Sequence, residues 1–227
     1  MSANNAHVIR SFTRPNAEDI AAISKFSPAT IHEAQGKRGA LDYRIKPIKE
    51  GLTVCGPAIT AQCHIGDNLM IFEAINLAQP GDVLVVSAGN NPNQGGFGDV
   101  LAAACVGKGI RGLIVDAGVR DSKALKAMDF PVFSLAVCMT GTSKDTLGTI
   151  NHPVVIGGEL IRPGDIVSAD DDGVVVVRET DVAKLVKSCQ ERDAYEDRLA
   201  DLHRQGKMDI EDRFEMMRAK GCVWSDT

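Results

Sequence analysis

Long apolar runs and clusters of positive charge are both missing from this sequence, and each absence excludes a class of protein. No apolar stretch is long enough to span a bilayer, and the polar start MSANNAHVIR lacks the apolar core of a signal peptide. The formal net charge is −5 and no run of lysine and arginine is present, so the clustered cations that bind nucleic-acid phosphates are absent. We therefore expect a cytoplasmic protein whose partner is a small molecule, and neither a nucleic acid nor a membrane.

The cysteines and histidines lack the spacing of redox and zinc motifs. The six cysteines are spread widely without a CxxC pair, and several fall in apolar runs, where cysteine behaves as a small hydrophobic side chain. The five histidines are equally scattered, so the spacing of a zinc site is missing. We expect buried thiols, and any bound metal should prefer oxygen ligands, as Mg²⁺ and Mn²⁺ do.

The chain has ordinary globular composition, with 44% hydrophobic and 24% charged residues among 227, and we expect one domain over 1–227. Its patterns alternate between helix and strand, which is typical of an α/β fold. The predicted strands are 52–62, 83–87, 112–116 and 130–137, followed by short strands with turns over 151–177. The predicted helices are two pieces within 15–36 broken at Ser27-Pro28, then 68–78, 99–107 and 180–203, with a helical tail to 222.

A glycine-rich segment forms the first part of a candidate site. The segment 89–98, GNNPNQGGFG, has few apolar residues and is predicted to be a loop. Its last glycines, Gly95, Gly96 and Gly98, would let backbone N–H groups approach an anion closely. A helix that begins near Asp99 adds amides without intrahelical partners and the positive end of its dipole. The glycines fit neither the phosphate-loop nor the dinucleotide-binding spacing, so we expect a carboxylate here.

An arginine–aspartate pair forms the second part. Arg120 and Asp121 follow the predicted strand 112–116, at the place where open α/β sheets usually bind ligands. The planar fork of arginine suits a carboxylate, and a neighbouring aspartate can hold a hard divalent cation. Alternatively, Asp121 or Ser122 only caps the next helix while Arg120 forms a surface ion pair. The position of the pair after a strand, with twenty residues between it and Asp99, favours a shared anion-and-metal pocket.

Three further polar groups each have two interpretations. Asn68 either caps the helix that follows it or faces the ligand across the turn. Glu196 lies seven residues past Cys189 and continues the apolar stripe of the long helix, so it points either into solvent or at a polar site, possibly on another subunit. The acidic run 170–172 is either a metal cluster or, as we expect, a solvated turn that Gly173 completes as a hairpin.

The spacing of Asp99 and the Arg120-Asp121 pair resembles that of the family that contains the class II pyruvate aldolases and the regulators of ribonuclease activity A. The match extends over nearly the whole chain and is similar to the 4-hydroxy-4-methyl-2-oxoglutarate / 4-carboxy-4-hydroxy-2-oxoadipate aldolase branch. The segments that carry it include ATIHEAQGKRG, GDNLMIFEA, QPGDVLVV, GGFGDVLA, VDAGVRDSKAL, TLGTINHPV and PGDIVSADDDGVVVV. The resemblance implies a single-domain α/β/β/α sandwich with a C-terminal helical tail, assembled as homotrimers or homohexamers with active sites between subunits.

The resemblance also implies a role for individual residues. The family's metal ligand falls on Asp121, the arginine that binds pyruvate and stabilises its enolate on Arg120, and the supporting acid on Asp99. The glutamate that an adjacent subunit contributes falls on Glu196. The pyruvate carboxylate would bind around Gly95, Gly96, Gly98, Val100 and Leu101, with Asn68 near the site.

The implied activity is retro-aldol cleavage of a 4-hydroxy-2-oxo diacid or triacid to pyruvate and a second keto acid. Mg²⁺ or Mn²⁺ would be the cofactor, and oxaloacetate decarboxylation a side activity. Two other functions compete with it. A non-catalytic regulator that binds a ribonuclease or another protein would not need Glu196 on the tail helix. A Schiff-base aldolase would need a desolvated lysine, whereas Lys108, Lys123 and Lys126 lie on predicted helices or their ends.

Overall fold

The computed structural model describes residues 6–208 and 210–225, apart from the side chain of Glu179. Its elements form four layers in the order helix, sheet, sheet, helix. The ends of the predicted domain, residues 1–5 and 226–227, lie outside the described residues.

The main sheet contains the long parallel strands. Its strands are β1 (His7–Val8), β2 (Lys46–Pro47), β3 (Val54–Gln62), β4 (Val83–Phe97), β5 (Gly112–Val119), β6 (Val132–Val137) and β7 (Thr149–Ile150). They lie in the order β1-β7-β3-β4-β5-β6-β2, and β3, β4, β5 and β6 are parallel neighbours. Every residue of β5 is buried, as expected for a central parallel strand covered on both faces.

The second β layer consists of two antiparallel hairpins, one of which continues the main sheet because its first strand also pairs with 54–57 of β3. They are formed by β8 (Val154–Ile156) with β9 (Glu159–Ile161) and by β10 (Ile166–Asp170) with β11 (Gly173–Val177), which confirms the predicted turns. The acidic run is the turn of the second hairpin: Asp172 N–H donates to the Asp170 carboxylate at 2.9 Å, and Gly51 N–H donates to the Asp171 carboxylate at 3.0 Å. These carboxylates therefore bind backbone amides, as a turn requires.

Helices cover both outer faces. On the main-sheet side are α3 (Leu69–Leu77), α4 (Asp99–Lys108) and α5 (Ser122–Ala127); on the other side are α1 (Ala17–Ile23), α2 (Pro28–Ala34) and α6 (Val182–Arg204), with α7 (Glu211–Ala219) following. The predicted break at Ser27 is confirmed, because Ser27 Oγ accepts the N–H of Thr30 at 3.0 Å and caps α2. No helix in the described part of the chain is both long and apolar enough to cross a bilayer.

Three apolar cores lie between the four layers. Side chains such as Leu84 and Leu101 fill the space between the main sheet and α3 to α5. Val85 and Val167 belong to the core between the two β layers. The third core joins the second β layer to α1, α2 and α6, and it contains the predicted helical stripe Val182, Leu185 and Cys189, with Val186 partly buried against it. This layering confirms the predicted α/β/β/α sandwich.

The predicted loop at 89–98 is wrong, because β4 continues to Phe97. The segment pairs with 117–119 of β5 through a ladder with several register shifts, and 117–119 were themselves expected to lie beyond the strand. The buried Asp116 carboxylate accepts the N–H groups of Ala88 and Asn90 and so holds the irregular part of the ladder in place. A polar composition therefore did not exclude a strand here.

The buried-thiol prediction is confirmed for three of the six cysteines. Cys63, Cys105 and Cys189 are buried, Cys55 and Cys138 are partly buried, and Cys222 is exposed. Burial raises the pKa of the Cys63 and Cys105 thiols to about 12, so both are neutral at physiological pH.

Candidate active site

A cavity of about 260 Å³ lies where β4 and β5 end and α4 and α5 begin. Its lining brings together nearly all of the predicted site residues. These are Asn68, Gly95, Gly96, Gly98, Asp99, Val100, Leu101, Arg120 and Asp121. Glu196 is the predicted site residue that the lining does not include. The cavity is therefore built around the ends of neighbouring parallel strands, as expected for an open α/β sheet.

The Arg120–Asp121 pair follows directly on β5. Arg120 Nε donates to Asp121 Oδ2 at 3.2 Å, and the two side chains are 48% and 37% exposed. Asp121 occupies the N-cap position of α5 with a left-handed backbone (φ 56°), yet its side chain makes no capping hydrogen bond. The capping interpretation of Asp121 is therefore not supported. A positive φ in a non-glycine residue is strained, and such strain is often found at ligand sites.

The end of β4 packs closely against this pair at two glycines. A Cβ atom on Gly98 would lie 2.2 Å from Asp121 Oδ2 and 3.1 Å from Arg120 Cγ. A Cβ atom on Gly95 would lie 2.2 Å from the Cys138 carbonyl oxygen and 2.8 Å from Arg120 Cβ. These glycines, proposed from the sequence as an anion cradle, are thus also needed for close packing at the site.

The start of α4 supplies the cradle itself. Gly98 is its N-cap residue and has no side chain to cap the helix, and Ala102 N–H is bonded to the Gly98 carbonyl oxygen at 3.0 Å. The amides that precede this bond, in residues 99–101, belong to the first turn, where backbone N–H groups have no intrahelical partner. Because these residues line the cavity, an anion in it would meet both free amides and the positive end of the helix dipole.

Asn68 faces the cavity instead of capping α3. Its Nδ2 donates to the Gly96 carbonyl oxygen at 2.7 Å, and it makes no side-chain capping bond although it occupies the N-cap position. Asp67 Oδ1 accepts the N–H of Leu69 in its place, at 2.8 Å. Asn68 Oδ1 is buried and lacks a partner among the described residues. Asn68 therefore lines the cavity and does not cap α3 with its side chain, and its contact with a ligand stays a prediction.

Four lining residues were not anticipated from the sequence: Phe72, Gly141, Thr142 and Lys144. Phe72 lies on the exposed side of α3, and the other three belong to the segment that follows β6. Lys144 adds a positive charge to the wall of the cavity. The sequence does carry a signal, because the run MTGTSKDTLGT is polar and follows a strand, but nothing in it indicates which cavity the run faces.

Asp67 attaches that segment to the start of α3. Its Oδ2 accepts the hydroxyl of Ser143 at 2.8 Å and the N–H groups of Asp145 and Thr146 at 2.7 and 3.0 Å. Burial by itself would raise the pKa of Asp67, but these bonds and the one from Leu69 stabilise the carboxylate and lower its pKa to about 2. An ionised side chain therefore fixes the wall that contains Thr142 and Lys144.

Glu196 lies on α6, outside the cavity lining. It pairs with Arg192 at 2.5 Å, and Arg192 also lies 3.5 Å from a carboxylate oxygen of Glu33. The Glu196 side chain is 48% exposed. A single chain therefore does not bring Glu196 to the other site residues, and its role stays a prediction that involves a second subunit.

The three candidate Schiff-base lysines are exposed. Lys123 and Lys126 lie on the outer side of α5, and Lys108 Nζ donates to the Asn76 carbonyl oxygen at 2.9 Å. A Schiff-base lysine is usually activated by desolvation in an apolar pocket. These lysines do not have that environment.

The donor set of the cavity suits a hard cation. Asp99 and Asp121 are the carboxylates in the lining. The described residues contain no group of three or more histidine, cysteine, aspartate or glutamate side chains placed to hold a metal ion. Mg²⁺ usually keeps several waters and takes one or two carboxylates from the protein together with oxygens of its substrate. Two carboxylates beside an anion cradle fit that pattern, and they do not fit a closed zinc site.

The four-layer fold agrees with a comparison to known families. The model of the RraA-like family, described as Aldolase/RraA, matches residues 22–176, and the chain belongs to this family.

Individual relatives carry two kinds of name. A Halalkalibacterium halodurans protein named "Putative 4-hydroxy-4-methyl-2-oxoglutarate aldolase" is 38% identical over 154 residues, which cover 68% of this chain and 73% of that protein. Streptomyces coelicolor RraAS2 has a crystal structure and is described as an unusual member of the RNase ES inhibitor RraA protein family. It is 31% identical to this chain with a TM-score of 0.73, and the match covers 81% of this chain and 97% of RraAS2. An uncharacterized Pseudomonas syringae protein shares the fold, with a TM-score of 0.79 at 23% identity over 90% of this chain and 97% of that one.

Proposed function

We propose that the protein is a divalent-metal-dependent pyruvate aldolase. It would cleave a 4-hydroxy-2-oxo diacid or triacid, such as 4-hydroxy-4-methyl-2-oxoglutarate or 4-carboxy-4-hydroxy-2-oxoadipate, to pyruvate and a second keto acid. The observation that carries this proposal is the cavity in which Arg120, Asp121 and Asp99 meet the start of α4. The aldolase name of the H. halodurans relative supports it.

The chemistry needs positive charge at one oxygen and a route for one proton. In retro-aldol cleavage the bond between C3 and C4 breaks, the C4 hydroxyl loses its proton, and the electron pair of the broken bond forms the enolate of pyruvate. C3 then takes up a proton and becomes the methyl group of pyruvate. The barrier falls when preorganised donors face the 2-oxo oxygen, where negative charge develops. Loss of CO₂ from oxaloacetate leaves the same enolate, which is why we expect decarboxylation as a side activity.

The residues of the cavity can be assigned to these tasks. The N–H groups at the start of α4 would bind the substrate carboxylate, and Arg120 would donate to the 2-oxo oxygen. Mg²⁺ or Mn²⁺, when bound, would supply a Lewis acid to the 2-oxo acid. Asp121 would be its protein ligand. Asp99 would hold water beside the substrate and move the proton between the C4 hydroxyl and C3.

A neighbouring subunit would complete the site in this proposal. Glu196 would come from that subunit in a homotrimer or homohexamer and share the proton-transfer task with Asp99. Exposed apolar side chains at the cavity support such an assembly: Val100 is 75% exposed, and Met139, in an adjoining cleft that Arg120 and Asp121 also line, is 92% exposed. Clustered exposed apolar side chains commonly mark surfaces that another chain covers.

A second candidate is a non-catalytic regulator that binds a ribonuclease. The observation in its favour is the description of the S. coelicolor relative as a member of an RNase inhibitor family. Such a function requires a protein-binding surface, and it gives no reason for strained Asp121 to lie beside Arg120 in a cavity. We therefore prefer the aldolase.

The direct test is pyruvate release from 4-hydroxy-4-methyl-2-oxoglutarate and from oxaloacetate, each with Mg²⁺ and with excess EDTA. We expect release from both that depends on the metal. No release from either by folded protein with metal present would contradict the proposal and favour the regulator.

A further inference from the structure

Two histidines that are 145 residues apart in the sequence are in contact. His7 lies on β1 and His152 follows β7, and His7 Nδ1 is 2.8 Å from His152 Nε2. The ring centroids are 4.9 Å apart with an interplanar angle of 61°. Neither residue lines the candidate active site, so the proposed aldolase function leaves this pair unexplained.

The backbone on both sides of the pair is held in place. Ile9 N–H donates to the Ile150 carbonyl oxygen at 3.1 Å, and Asn151 Nδ2 donates to the Ile9 carbonyl oxygen at 2.7 Å. The Thr60 hydroxyl donates to the His152 carbonyl oxygen at 2.7 Å. The two imidazoles are therefore presented by segments tied to each other and to β3. Such support is what a preorganised ligand site requires.

Unpartnered polar atoms flank the same corner. Asn151 Oδ1 and Thr149 Oγ1 are buried and have no hydrogen-bond partner among the described residues. Asn151 is 3% exposed and has a positive φ of 57°. Buried unsatisfied atoms and left-handed non-glycine residues are both uncommon and concentrate at functional sites. These atoms belong to residues that adjoin His152 or pair with His7 and are available to bind water or a ligand at this corner.

We propose that His7 and His152 bind a divalent transition-metal ion, with Cu²⁺ preferred over Ni²⁺ and Zn²⁺ and water completing the coordination. Neutral imidazole nitrogen is a common ligand for these ions. One of the two rings now donates its N–H to the other ring. When a metal binds, solvent would carry this hydrogen to the second nitrogen of the same ring. Rotation of the two rings would then direct one lone pair of each at the metal.

The order of preference follows the general affinity of nitrogen ligands for divalent first-row ions, in which Cu²⁺ exceeds both Ni²⁺ and Zn²⁺. Metal–nitrogen bonds of about 2.0 Å at a right angle place two nitrogens about 2.8 Å apart, whereas a tetrahedral angle places them about 3.3 Å apart. The two nitrogens now share a hydrogen bond at 2.8 Å, so the rings would keep this separation and only rotate to bind Cu²⁺ or Ni²⁺ in square-planar or tetragonal geometry. Zn²⁺ would require the rings to separate by about 0.5 Å. This site and the proposed oxygen-ligand site at Asp121 would therefore take different metals.

The test is titration of Cu²⁺, Ni²⁺ and Zn²⁺ into the full-length protein without an affinity tag, followed by calorimetry and by visible absorption. We expect one high-affinity Cu²⁺ per chain. Loss of an outer-shell partner typically lowers metal affinity by about 10- to 100-fold, so His7→Gln and His152→Gln, which remove a ligand, should each lower it by at least about tenfold. His203→Gln is the matched control, because His203 is an exposed histidine on α6, and it should bind Cu²⁺ like the parent.

A spectroscopic measurement on the parent protein avoids any effect of the variants on folding. Electron paramagnetic resonance of the Cu²⁺ complex should show coupling to two nitrogens. Coupling to one nitrogen or to none, or a Cu²⁺ affinity that His7→Gln and His152→Gln leave unchanged, would overturn the proposal. Pyruvate release does not enter this test, so its outcome is independent of the aldolase function.

Discussion

Two arginine–carboxylate pairs in this molecule have similar chemistry and different surroundings. Arg120 and Asp121 are 3.2 Å apart with side chains 48% and 37% exposed, and Arg192 and Glu196 are 2.5 Å apart and 34% and 48% exposed. The first pair follows a buried strand and faces a cavity with the start of a helix. The second lies on one turn of α6, outside that cavity. Half-exposed ion pairs contribute little to stability, so their surroundings decide what they can do.

Removal of the cavity pair should have the largest effect. Arg120→Ala or Asp121→Ala should lower the rate of pyruvate release by about 100- to 1,000-fold, because each removes charge that faces the developing enolate. The control is Arg44→Ala, since Arg44 pairs with Asp42 outside the cavity lining. Turnover within a few-fold of the parent in either cavity variant would contradict the assignment of the site.

Substitution of Glu196 tests whether this residue reaches the site of Arg120 and Asp121 from another subunit. Glu196→Gln should lower turnover by about 100-fold, the range of a general acid or base, while Glu191→Gln on the same helix should not. Co-expression of Glu196→Gln with Arg120→Ala should restore part of the activity, because mixed oligomers would contain sites with both residues intact. Assembled mixtures that stay inactive would show that Glu196 is not supplied by a neighbour.

The backbone beside the cavity pair can be changed without altering its charges. Gly98→Ala places a Cβ atom where Asp121 Oδ2 lies, so it should displace the carboxylate and lower turnover by about tenfold or more. Gly107→Ala is the matched control, because nothing lies within 4 Å of a Cβ atom at that position of α4. The same steady-state assay measures both. Equal activity of the two variants would show that close packing at Gly98 is not needed.

The smallest expected effect concerns the wall of the cavity. Because the pKa of Asp67 is lowered to about 2, its contribution to stability is complete above the unfolded value of about 3.9 and is lost as the pH falls toward 2. The protection of the 141–146 amides, taken as the intrinsic exchange rate at each pH divided by the observed rate, should therefore fall in the parent between about pH 4 and 2. Asp67→Asn should remove this pH dependence and raise the KM a few-fold, whereas Asp129→Asn, an exposed change, should do neither. A parent profile that is flat between these pH values would contradict the role of Asp67.

Local patterns in the sequence were sufficient for much of the fold and part of the cavity. Helical and strand periodicity located most of the elements, and the resemblance to a known family implied their four layers. The rule that ligands bind beyond strand ends brought Asp99 and Arg120-Asp121 together. The glycines were selected because their backbone N–H groups could approach an anion at the start of a helix, and their close packing against Arg120 and Asp121 was visible only in the structure. These features depend on residues close to each other along the chain.

Features that depend on contacts between distant segments could not be predicted. The extension of β4 depends on backbone N–H groups that donate to the Asp116 carboxylate. Thr142 and Lys144 reach the cavity because their segment donates hydrogen bonds to Asp67, which lies 76 to 79 residues earlier in the chain. The histidines are scattered in the sequence, yet His7 and His152 meet because β1 pairs with β7. Composition and spacing carry no information on such pairings.

The measurement that tests the central claim most directly is exchange of the methyl hydrogens of pyruvate with deuterium in D₂O, followed by proton NMR. Retro-aldol cleavage and oxaloacetate decarboxylation both form the pyruvate enolate, so this exchange does not depend on which 4-hydroxy-2-oxo acid the protein cleaves. The account predicts exchange that is catalysed by the parent protein with Mg²⁺, is suppressed by EDTA and is lost in Arg120→Ala. Exchange at the buffer rate with folded protein and Mg²⁺ present, or full exchange in Arg120→Ala, would contradict it.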